Sequence, residues 1–159
     1  CARPDDAPDD LAWPGAALLR HLTGQRIARP AALVDSMFVR RLLAEVAPGT
    51  DEALAFARGH RVVPTLHGLG NSPEEPWLYS IGLFGQERIQ VSRLVFELWA
   101  WGHLDANLWQ ACESLAKLEP ADGDADAGTI DPARVLAGFL ATLHGLLSAQ
   151  AAYVDTVDQ

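Results

Sequence analysis

Small residues recur at every fourth position late in the chain: Ala133, Ala137, Ala141, Gly145 and Ala149. An α-helix turns once in 3.6 residues, so this ladder forms one slowly drifting stripe down a single side. Leu136, Phe139, Leu140, Leu143, Leu146 and Leu147 flank it. Such a run predicts a long final helix, from Asp131 to about Val154, with Asp131 as cap and Pro132 in its first turn. It also predicts that a second helix packs close to it, at the short end of the usual spacing of about 8–10 Å. That second helix is either Leu94–Trp101 of the same chain or the final helix of a second copy across a two-fold axis. In the second case Ala137, Ala141 and Gly145 form a homodimer seam.

Ahead of the ladder, helical patterns dominate. Pro14 opens a short helix that Gly24 stops, and Pro30 opens another reaching Val46, with Val34, Phe38 and Leu42 on one face. Thr50 caps a third helix, closed by Gly59. A fourth begins at Ser92, and its Leu94–Trp101 run is apolar except for Glu97, the pattern of a helix buried on most sides. Asp105 is positioned to cap a fifth. Between residues 61 and 91 the period shifts towards strand. Trp77–Phe84 and Arg88–Val91 read as a hairpin, Pro64 confines Arg61–Leu66 to an edge or an extended loop, and Gly68-Leu69-Gly70-Asn71 reads as a loop. The expected fold is mainly α: a single-domain bundle of about six helices over residues 13–159, with a small β-hairpin insertion. Residues 1–12, rich in Asp and Pro, read as a flexible acidic arm.

Charge narrows the partners. The chain carries 12 basic and 21 acidic residues, a net −9, which argues against broad nucleic-acid affinity. Seven arginines between Arg20 and Arg61 face four acids there, so that segment is +3 and everything else −12. Arg40 and Arg41 stand at its centre and are its candidate partner-binding residues. Thr142, His144, Ser148 and Gln150 interrupt the uncharged C-terminal stretch, so no membrane span is expected. Cys1 and Cys112 show no metal or disulfide spacing, which makes a reduced, cytoplasmic setting the expectation. Lipid anchoring through Cys1 is the alternative.

No motif specifies a reaction. His67-Gly68-Leu69-Gly70 has the look of a hydrolase oxyanion loop, but the chain has no G-x-S-x-G nucleophile elbow. No histidine pairs with another ligand at helical spacing, so neither a metal nor a cofactor is expected. Glu97 is the one carboxylate in an apolar helix. Either Arg93 four residues earlier pairs with it, or it anchors a ligand at the floor of an apolar pocket. Trp99, Trp101, Trp109 and His103 are the residues that could line such a pocket, although core packing is the commoner use of clustered tryptophans. The leading expectation is a non-catalytic interaction protein, an accessory, inhibitory or immunity-type partner of another protein. A Trp-lined ligand-binding module, dimeric through its last helices, comes second. An enzyme using Glu97, His103 or His67 comes third.

Overall fold

The computed structural model describes residues 15–25, 27–40, 42–118 and 130–157. Two helices come first, α1 (Gly15–Gly24) and α2 (Pro30–Val39), followed by α3 (Asp51–Gly59) and four strands. These are β1 (His60–Pro64), β2 (His67–Gly70), β3 (Leu78–Leu83) and β4 (Gln86–Ser92). Next come α4 (Arg93–Trp101), a 3-10 turn (Gly102–Leu104), α5 (Leu108–Leu118), α6 (Pro132–Ser148) and β5 (Ala152–Thr156). The chain divides between Val46 and Ala47 into two compact units, called here the arm and the body. The acidic segment 1–12 lies outside the described residues.

The mainly α expectation is wrong. Among the described residues the chain is mixed α/β, with five strands in two antiparallel sheets beside its six helices. The largest error is at the C-terminal end. The ladder continues to Ala149, but the helix stops at Ser148. Gln150 takes a left-handed conformation (φ 57°), while the Ala151 N–H donates to Leu146 O at 2.8 Å and the Gln150 N–H to Leu147 O at 3.0 Å. These crossed bonds close the helix as a Schellman turn without the usual glycine. The chain then reverses into β5, which pairs with β1 from His60↔Thr156 to Pro64↔Ala152. Pro64, the last residue of β1, takes the position a strand allows it.

The hairpin forms, but as two strands of three. β3 pairs with β4, and β2, read from the sequence as a loop, adds to the other side of β3. Gly82 permits the bulge beside the hairpin turn, because a Cβ there would strike the Gln86 carbonyl oxygen. Gly68 is what lets β2 lie under α4: a Cβ on it would come within 2.6 Å of the Phe96 ring. Ile81 and Val91 are buried on the same face, and Tyr79 meets Phe96 at 4.9 Å between ring centres.

Helix boundaries differ also at α2 and α5. α2 ends at Val39 instead of Val46; only Val34 of it is buried, and a helix without packing gains little from further turns. α5 is opened by Asn107, whose Oδ1 accepts from the Gln110 N–H at 2.9 Å, while Asp105 accepts from Ser114 Oγ at 3.1 Å. In α4, Val95, Leu98 and Trp99 are buried, Leu94, Phe96, Glu97 and Ala100 half-buried, and Arg93 and Trp101 exposed. The caps at Thr50 and Asp131 are as expected, accepting from Ala53 and Ala133.

The body's core joins α4, α5 and α6 to α3, β1 and the three-stranded sheet. Phe139, Ile81, Leu108, Leu146 and Cys112 are its largest fully buried side chains. The ladder is not the packed face of α6. Ala133 and Ala141 are exposed and Ala137 and Ala149 half-buried, while the core side is made by the large flanking residues Val135, Leu136, Phe139, Leu143 and Leu146. Only Gly145 is buried, and its close neighbour is Ile89 of β4, whose Cδ1 would lie 3.2 Å from an added Cβ. α4 does meet α6, with Leu94 and Val95 beside Val135, Gly138 and Phe139, and most of the ladder lies outside the core because burial followed side-chain size.

Candidate functional site

The five residues singled out for a ligand pocket do not converge. On α4, Glu97 and Trp101 lie one turn apart on the outward side, while Trp99 lies opposite them. Trp99 is 2% exposed, and its indole N–H donates to the Ala151 carbonyl at 2.8 Å, tying α4 to the turn before β5. That N–H is thus committed to the fold. Trp109 sits on α5, half-buried, with the Arg58 guanidinium 6.0 Å from its ring centre. It lines a shallow depression of about 170 Å³ with Thr50, Leu54 and Leu136. A second depression, about 150 Å³, lies between Ser92, Leu94, Phe139 and Thr142. Both fall below the ~300 Å³ at which pockets usually enclose a small molecule.

Reactive groups are scattered. His103, in the 3-10 turn, has a buried Nδ1 without a hydrogen-bond partner, and no acid or nucleophile is hydrogen-bonded to it. His67 meets Phe84 in a tilted contact with ring centres 5.1 Å apart, and its neighbour Gly68 is strand, not oxyanion loop. Exposed Ser148 Oγ and His144 Nε2 lie 3.3 Å apart on one face of α6, with no carboxylate bonded to the histidine. Ser80 and Gln90 donate to Glu87 on the outer side of the sheet. Burial pushes the Cys112 thiol up to about 12, helped by the charge of Glu113, so that sulfur is no nucleophile at neutral pH. No group of three or more His, Cys, Asp or Glu among the described residues could hold a metal ion. No described helix is long and apolar enough to cross a membrane.

Two exposed apolar surfaces stand out instead. In the body, Glu97 and Trp101 continue into Leu104, giving an i, i+4, i+7 line on the outward side of α4 and the turn after it. Trp101 is 62% and Leu104 72% exposed. Glu97 is half-buried, and among the described residues it takes no hydrogen bond or ion pair, so the expected bridge to Arg93 is not made. Arg93 itself is engaged in another interaction.

The arm offers the second surface. α2 exposes Leu33, Phe38 and Val39, and Leu42 follows it, also exposed. Arg40, exposed, stands between them; Arg41 lies outside the described residues. Leu104 and these α2 residues were missed in the sequence, where apolar residues at helical spacing read as core. Leu104 had a signal, standing three residues beyond Trp101 and past the Gly102 stop. Among known protein-family models, curated proteins and solved structures, none matches this chain.

Proposed function

We propose that this chain is a non-catalytic interaction protein that works by binding another protein. The supporting observation is the run of exposed large apolar side chains on and after α2: Leu33, Phe38, Val39 and Leu42. Val39 is 84% exposed, and large apolar side chains left in solvent this close together along a chain commonly mark an interaction site. Arg40 and Arg41 in the middle of this run favour a partner whose apolar groove has an acidic rim. Residues 1–46 are neutral overall, with six basic and six acidic residues, so the arginines of the arm are not swamped by the acid excess. The body, by contrast, holds six basic against fifteen acidic residues, a net −9.

A test uses the whole chain as bait in an extract of its native host, compared with Phe38→Ser/Val39→Ser and with Arg40→Ala/Arg41→Ala. A stoichiometric partner should be lost with the first variant. With the second it should bind more weakly, and the loss should shrink as salt is raised. Both variants should melt as the parent does, since Phe38, Val39 and Arg40 are exposed and outside the core cluster. Capture that is equal for all three baits would overturn the reading. The ligand-module alternative makes a different forecast, a melting temperature raised by apolar metabolites. The small depressions in the body give it little support.

A further inference from the structure

We infer that the Glu97–Trp101–Leu104 stripe docks a cationic, amphipathic segment of a partner protein. A lysine or arginine of that segment sits between the Trp101 indole and the Glu97 carboxylate, and its apolar side chains lie against Leu104. This rests on the reading of the chain as a protein-binding protein and gives it a second surface with its own chemistry.

Spacing is the first support. Residues four apart on a helix stand with their Cβ atoms about 5–6 Å apart, so a carboxylate and an indole face flank one position. A cation there gains from both, being attracted by the ring within ~6 Å of its centre and by the acid directly. The second support is what the two groups lack. Among the described residues Glu97 has no hydrogen bond or ion pair, and the Trp101 indole N–H donates to no protein group, in contrast to that of Trp99. The third is charge. The body is −9, Asp105 follows Leu104 directly, and the one basic residue on this line, Arg93, is engaged in another interaction. A nucleic acid would meet repulsion, and a second copy would bring a second body of the same sign. The apolar pair Trp101 and Leu104 at i and i+3 favours a helix laid along the stripe over an isolated ion.

Calorimetry against a synthetic amphipathic peptide tests this. One face of the peptide carries leucine and the other arginine, and a matched control replaces each arginine with glutamate. The arginine peptide should bind the full chain saturably, with an affinity that falls as salt is raised, and the control should not bind. Trp101→Ala should weaken binding about tenfold or more, and Glu97→Gln severalfold. Glu97→Arg should reverse the preference, accepting the glutamate peptide, which a structural role for Glu97 would not produce. Equal binding of the two peptides, or unchanged binding in both Trp101→Ala and Glu97→Gln, would overturn the inference. Self-association of the parent that Trp101→Ala abolishes would overturn it in favour of a second copy. Failure here with partner capture by α2 intact removes the stripe alone, whereas failure of both removes the protein-binding reading itself.

Discussion

Trp99 and Trp101 are two residues apart and have opposite environments. Trp99→Phe keeps most of the buried ring but removes the N–H that the Ala151 carbonyl accepts at 2.8 Å. Leaving that acceptor unsatisfied costs about 1–3 kcal/mol, and thermal melting should show it as a lowered midpoint. Trp101→Phe should melt within about 0.5 kcal/mol of the parent, because its ring is mostly in solvent. Cys112 supplies a pH forecast. Its thiol moves from the usual 9.0 up to about 12 on folding, so between those values the folded chain holds a proton that the unfolded chain has lost. The Cys112 contribution is therefore intact below pH 9.0 and is lost as pH rises towards 12, by at most about 1.4 kcal/mol per unit. Denaturant titrations of the parent and Cys112→Ala across that range should converge as pH rises. Iodoacetamide at neutral pH should leave Cys112 unmodified until the chain is unfolded.

Among the elements, α6 shows how far a pattern can be trusted. Its start and its cap were legible, because Asp131-Pro132 and the 3.6-residue period act locally, but its end at Ser148 was not. Which side faces the core was not, since the ladder and the leucine stripe share one helix and burial favours the larger side chains. Gln150 is the other silent position: a non-glycine in the left-handed region leaves no stop signal, so Tyr153-Val154 read as more helix instead of a strand. β2 was hidden for a similar reason, as Gly68, a residue that usually marks a loop, is needed there to let Phe96 approach. The candidate surfaces were half legible. Glu97 and Trp101 stood out by composition, but their division from Trp99 needed the helix to be placed against a core. A pair of substitutions separates the two sides of α6. Ala141→Leu points into solvent and should leave the melting temperature unchanged, while Gly145→Leu must displace Ile89 and should cost ~1–3 kcal/mol. A loss at Ala141→Leu as large as that at Gly145→Leu would mean that the ladder is packed along its length after all.

At the scale of the molecule, every residue of the buried core cluster lies at Ala57 or beyond, inside the body. Residues 47–159 expressed alone should therefore fold, giving near-ultraviolet circular dichroism from ordered aromatic rings and a single cooperative melt. A broad, non-cooperative melt would show that the arm is required. The antiparallel pairing of β1 with β5 sets a timetable for that folding. About ninety residues separate the paired positions, from His60↔Thr156 to Pro64↔Ala152. At synthesis rates of about 5–20 residues per second, β1 waits roughly 5–20 s on the ribosome before its partner strand has been made. Through that interval its backbone donors and acceptors form an open edge, and the Trp99 indole has no Ala151 carbonyl to hold it. The nascent chain is thus exposed to mispairing until β5 has been made, and ribosome-bound chains stalled before residue 151 should be cut by protease at β1 where chains that carry β5 resist.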